Sequence, residues 1–156
     1  MTLDGDPELR DEAMRALYEQ AHGLLLAGRD GEALEVLASL LNSFMDDAPE
    51  RALDVVSDGL VLAAAAAYGV GDSSAAVKLY DEAIRRFGKR TEPALRSSVA
   101  MAMRGRARLL ARSGRDEEAL AAYREVLERF AEDESAVIAE EIARAREGIE
   151  AIGEGS

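Results

Sequence analysis

The sequence predicts an all-α fold, a short right-handed α-solenoid of seven helices, from three observations. A 43-residue repeat runs through the chain without a gap, each half of a repeat carries an apolar stripe of helical spacing, and a glycine separates the halves. The repeat is plainest in "GRDGEALEVLASLLNSF", "GDSSAAVKLYDEAIRRF" and "GRDEEALAAYREVLERF", which begin at Gly28, Gly71 and Gly114 and end at Phe44, Phe87 and Phe130.

In the first half of each repeat, Leu17, Leu60 and Met103 correspond, followed by Ala21, Ala64 and Ala107, then Leu24, Ala67 and Leu110. Their spacing of i, i+4, i+7 is one face of a helix, and the small central residue suits a crossing helix that leaves no room for a larger side chain. Asp6 before Pro7 marks the first start, with the aspartate as N-cap, and Thr91 with Glu92 and Pro93 marks another. The second half begins at the glycine and carries Ala33, Ala76 and Ala119. Leu37, Tyr80 and Tyr123 follow, then Leu41, Ile84 and Leu127. Asp30 and Asp116 are the expected caps of two of these second helices. After Phe130, Ile138, Ile142, Ala145, Ile149 and Ile152 recur at helical spacing with Glu140, Glu141, Arg144 and Glu147 around them, and no second helix follows. This is the expected polar-faced terminal cap. The reading is one domain over 1–156, with repeats over about 7–45, 48–88 and 91–131. A capping helix over about 134–152 and a frayed tail over 153–156 complete it.

These residues resemble the tetratricopeptide repeat family, in a long-repeat variety common in bacterial proteins. The carriers are the alanines of the first helices (Ala21, Ala64, Ala107), the turn glycines, the alanines of the second helices (Ala33, Ala76, Ala119) and the large residues Leu37, Tyr80 and Tyr123. The chain departs from the family in its 43-residue period where 34 is usual, in lacking the closing proline, and in having Leu17, Leu60 or Met103 where an aromatic is expected. The resemblance covers nearly the whole chain. It implies protein or peptide binding on a concave face lined by first helices, and no chemistry.

Composition restricts the function further. There is no cysteine, so disulfides and thiolate metal sites are excluded, and His22 is the only histidine. The net charge of -12 opposes general affinity for nucleic acid or anionic lipid. The start "MTLDGDPELR" lacks the basic and apolar regions of a secretory signal. The longest apolar run, Leu60 to Val70, is shorter than a bilayer span and reads as a buried helix. A cytoplasmic protein is expected. "GVGDSS" from Gly69 lacks the third glycine of a dinucleotide fingerprint and reads as the turn between helices. His22 has no orienting partner or nucleophile in any recognisable pattern, and no pair of carboxylates is singled out. No enzyme, cofactor or metal is expected.

Charge is nevertheless segregated. Between Arg85 and Arg115 stand ten basic residues against one acid, Glu92, which makes that band +9 in an acidic chain. Arg104, Arg108 and Arg112 form one stripe beside the packing stripe Met103, Ala107 and Leu110. By the family's geometry that stripe faces the concave groove, whose other end holds Tyr18, His22, Leu25, Asp58, Val61, Leu62, Ala65 and Tyr68. The expected peptide-binding residues are Tyr18, His22, Leu25, Leu62, Tyr68, Arg104, Arg108 and Arg112. Two readings of the arginines stay open: forks for a ligand's carboxylate or phosphate, or partners of Glu140, Glu147 and Glu150 on the capping helix. The leading expectation is a non-enzymatic scaffold or adaptor that takes a protein or peptide, with any acidic or carboxylate-bearing segment near the arginines. The alternative is a self-association module, so that the chain is a monomer or a homodimer; an enzyme is a distant third. Nucleic acid and membrane are not expected partners, because the band lacks interleaved aromatics.

Overall fold

The computed structural model describes residues 6–155, so Ser156 of the expected tail lies outside them. Seven α-helices and no strand occur among the described residues: α1 (Pro7–Leu26), α2 (Asp30–Phe44), α3 (Leu53–Gly69), α4 (Ser73–Phe87), α5 (Pro93–Arg112), α6 (Asp116–Arg129) and α7 (Ala136–Glu154). A 3-10 turn, Glu50–Ala52, leads into α3. The all-α expectation therefore holds; α1 packs on α2 and α2 on α3, and α5 packs on α6 and α6 on α7.

The turns repeat in atomic detail. Gly28, Gly71 and Gly114 have φ of 75°, 88° and 80°, the left-handed region that favours glycine. After each glycine the next amide reaches back five residues, Arg29 N to Leu24 O at 2.8 Å, Asp72 N to Ala67 O at 2.9 Å and Arg115 N to Leu110 O at 3.0 Å. This is the Schellman closure, which satisfies carbonyls that would otherwise be orphaned at the helix end. It also gives Leu24, Ala67 and Leu110 a second task, as the residues whose carbonyls accept the closing bond.

The starts follow the sequence less closely. Asp6 caps α1 as expected, accepting from Glu8 N at 2.9 Å. Glu92, not Thr91, is the cap residue of α5, and its carboxylate turns away from the helix to Arg90 at 2.9 Å. Asp30 and Asp116 are the first helical residues of α2 and α6, one place too late to cap, and the cap residues there are Arg29 and Arg115. Each of these arginines holds the glutamate three residues on, Glu32 and Glu118. Asp72 occupies the same register before α4 and does what a short carboxylate does there, accepting from Ala75 N at 3.0 Å.

Two compact units make up the chain, Met1–Leu79 and Tyr80–Ser156. In unit 1, α1, α2 and α3 pack mutually around Met14, Ala21, Leu37, Leu40, Val56 and Leu60. The stretch Glu50–Gly69 is apolar and long enough by composition to cross a membrane, but 56% of its apolar window is buried against the rest of the molecule. Its apolarity is used by the core: Leu60, Ala63, Ala64, Ala66 and Ala67 are all buried, as expected for a helix apolar on most sides.

In unit 2, α5, α6 and α7 pack mutually around Leu95, Val99, Met103, Leu110, Tyr123, Val126, Phe130 and Ile138. The end of α4 joins them. Asp81 pairs with Arg106, and Arg129 donates to the carbonyl of Gly88 and lies 3.7 Å from the sulfur of Met103.

The last helix keeps the 43-residue register: Ala136, Ala145 and Gly148 stand opposite Pro93, Ala102 and Gly105 of α5. Where α5 buries Met103 and Ala107, α7 has the exposed Arg146 and Glu150. It is a first helix whose partner-facing side has become polar. α7 continues to Glu154, two residues past the expected end of the capping helix, with Gly155 N on Ala151 O at 3.2 Å.

Candidate functional site

The basic band is largely balanced by carboxylates of its own unit. Arg85 and Arg86 share Glu82 at 2.5 and 2.6 Å, Arg90 holds Glu92, Arg96 holds Asp133, Arg106 holds Asp81 at 2.7 Å and Arg115 holds Glu118 at 2.5 Å. The two guanidiniums hydrogen-bonded to Glu82 keep its carboxyl below the usual range. The formal +9 is thus a property of the sequence interval and not of the folded surface.

Arg104 is the arginine most deeply committed. Its Nε donates to Glu141 of α7 at 2.7 Å, with only 16% of the arginine side chain and 4% of the glutamate side chain exposed. Glu141 is not among the three glutamates expected as partners; of those, Glu140 pairs with Arg144 at 2.6 Å. The reason is register. Glu141 stands 43 residues after the buried Ser98, on the side of α7 that packs, whereas Glu140, Glu147 and Glu150 are exposed.

Arg108 and Arg112 have a different setting, for they line an open cavity of about 370 Å³ near the ends of α5 and α7. Its apolar part is Ala111, Tyr123, Ala151 and Ile152, and Asp116 is its one acid. Tyr123 reaches this place because Gly148 has no side chain, and a β-carbon there would run into the tyrosine ring. The same device recurs one period earlier, with Tyr80 against Gly105, where a β-carbon would meet the ring at 2.5 Å. Both hydroxyls are pushed above the ordinary tyrosine value. Burial is the leading cause in each; the charges of Arg104 and Arg108 oppose it at Tyr80, and those of Arg104, Arg108 and Arg112 oppose it at Tyr123. Sequence reasoning did not identify Gly105 as buried under Tyr80. It also missed Tyr123, Ala151 and Ile152 as cavity residues, although the shared spacing of Tyr80 to Gly105 and Tyr123 to Gly148 was a readable signal.

The expected residues of unit 1 are Tyr18, His22, Leu25, Leu62 and Tyr68. Tyr18 and His22, one turn apart on α1, lie with parallel rings, 4° between planes and 6.3 Å between centroids. Tyr18 is half-buried, His22 exposed, and Leu25, Leu62 and Tyr68 half-buried. Burial raises the Tyr18 hydroxyl above its ordinary value, helped by the charge of Asp58, by its hydrogen bond to Asp58 and by the charge of Asp54. Asp54 Oδ1 is shielded from water without a hydrogen bond and lies 3.9 Å from the Arg15 guanidinium.

A second cavity, of about 290 Å³, opens at the start of α1 over Met14 and Phe44. Its rim carries two ion pairs, Arg10 with Asp47 at 3.0 Å and Arg51 with Asp11 at 2.7 Å. Among the described residues no group of three or more histidine, aspartate or glutamate side chains is placed to hold a metal ion. Compared with family models, with curated proteins and with solved structures, the chain matches none.

Proposed function

We propose that the chain is a non-enzymatic peptide-binding module, cytoplasmic, built from tetratricopeptide-like hairpins as a right-handed solenoid with α7 as its cap. The observation that carries the reading is the cavity of unit 2, where two guanidiniums border an apolar floor of Ala111, Tyr123, Ala151 and Ile152. A fork of planar donors beside apolar surface suits a carboxylate-bearing segment with an aliphatic neighbour. At the small end of pocket sizes, such a cavity holds one or two residues and not a folded element. Leu25, Leu62 and Tyr68 of unit 1 form a separate contact region in this reading.

Arg104 is not a ligand contact in this reading, because Glu141 holds its guanidinium. Exposed Arg146 and Glu150 on α7 favour a capped end over further stacking of copies.

The test is capture of acidic and carboxylate-ended peptides from a library by the wild type, Arg108→Glu and Arg112→Glu. Each variant is expected to lose about tenfold or more in affinity, while Arg106→Glu, outside the cavity, keeps it. Unchanged capture by both cavity variants would reject the site.

A further inference from the structure

We propose that the cavity at the start of α1 is a binding site for a single uncharged aromatic ring, carried on a side chain of a partner polypeptide. The inference rests on the reading of the chain as a peptide-binding module and adds an apolar site in unit 1.

One repeat leaves its closing phenylalanine open. Phe87 and Phe130 are buried, whereas Phe44 at the same register is half-buried, and the cavity of about 290 Å³ lies over it. Buried Met14 and the rigid rings of Pro7 and Pro49 complete the apolar lining. A ring gains here from the area it buries and from its neighbours, since phenylalanine and a thioether both favour an aromatic group over an aliphatic one.

The charged groups of the lining select an uncharged ligand. Arg10 pairs with Asp47 at 3.0 Å and Arg51 with Asp11 at 2.7 Å, so two cations are already met by two anions. An ionised ligand would have to leave water and separate one of these pairs to find a counter-charge; a neutral ring does neither. Size selects further. An apolar cavity of about 150 Å³ accepts benzene, so the room over Phe44 suits one phenyl or indole ring and not a folded element. The cavity opens to solvent, which lets a ring enter while its main chain stays outside.

Unit 2 supplies the contrast. Arg96 and Asp133 repeat Arg10 and Asp47, but Ser97, Ala100 and Val137 hold the places of Asp11, Met14 and Arg51, and Phe130 is buried. The open ring therefore belongs to unit 1.

The chain has no tryptophan, so the emission of N-acetyl-tryptophan amide reports on the site without competing indole signal. This probe would be titrated with the full chain, and a saturable blue shift is expected. N-acetyl-phenylalanine amide should displace it, and N-acetyl-leucine amide should do so about fivefold less well, the margin that ring contacts add. Phe44→Tyr keeps the affinity. Phe44→Leu, and Pro7→Phe at an exposed position of the mouth, each checked for native helicity, lose about fivefold. Absence of a saturable shift overturns the inference, as does equal displacement by the leucine amide or undiminished binding by both Phe44→Leu and Pro7→Phe. Arg108→Glu, at the other cavity, should leave ring binding intact. No ring binding with intact peptide capture by unit 2 counts against this site alone; lost capture with intact ring binding counts against the unit 2 reading.

Discussion

Unit 1 and unit 2 use the same scaffold and fill it differently. The turn closures of Gly28 and Gly114 are alike, and so is a clasp that recurs two periods apart: Arg10 over Phe44 with Asp47, and Arg96 over Phe130 with Asp133. The intervening repeat has Leu53 and Arg90 in the corresponding places and keeps only the phenylalanine, Phe87. The difference lies at two positions separated by 25 residues. Unit 1 has Leu37 and Leu62 there; unit 2 has Tyr80 with Gly105 and Tyr123 with Gly148. Volume is exchanged within the pair, a large ring against no side chain in one unit and two medium side chains in the other, so the backbone period survives. The exchange has an electrostatic consequence, because only the tyrosine version brings hydroxyls under the field of the arginine stripe. The repeat keeps helix spacing while the side chains at the contact decide the character of the surface.

The largest expected effect breaks the ion pair that unit 2 has and unit 1 lacks. Glu141→Ala leaves Arg104 largely buried without its acceptor, and urea unfolding should show a loss of about 3 kcal/mol. Asp54→Ala, which removes the long and half-exposed pair with Arg15 in unit 1, should cost under about 1 kcal/mol. Similar losses at both sites would contradict the assignment of Glu141 as the buried anchor. Next come the glycines. Gly105→Ala and Gly148→Ala should each destabilise by about 2 kcal/mol, since the added methyl meets a tyrosine ring. Gly59→Ala in unit 1 meets Leu40 Cδ2 at 3.4 Å and Leu41 Cδ2 at 3.7 Å, ordinary contacts, and should stabilise α3 by about 0.5–1 kcal/mol. Thermal melts of the three variants would show the opposite signs, and tolerance of alanine at Gly105 and Gly148 would remove the proposed exchange of volume. The smallest effect sharpens the likeness. Arg10→Ala and Arg96→Ala should each cost about 1 kcal/mol, Arg96 slightly more because Asp133 is 20% exposed where Asp47 is 61%. A negligible loss at both would reduce the clasp to an inert surface pair.

The sequence by itself determined the helices and their period. Apolar residues at i, i+4 and i+7, a glycine at 43-residue intervals and a proline after Asp6 are local signals, each fixed by backbone sterics or helix geometry and readable without a partner. The same locality explains the near misses at the caps: Asp30 and Asp116 lie one residue inside their helices, and only the register of the turn shows that Arg29 and Arg115 precede them. What the tertiary structure decided was the state of the charges. Ten cations in one interval look like a site until the fold supplies their acids: Glu82 and Glu118 from one turn away, Asp133 from the loop before α7, and Asp81 and Glu141 from the neighbouring helices α4 and α7. That Glu141 holds Arg104 depends on which face α7 turns toward α5. That face is set by the packing of Ile138, Ala145 and Gly148, an agreement between distant residues that no single stretch of sequence contains.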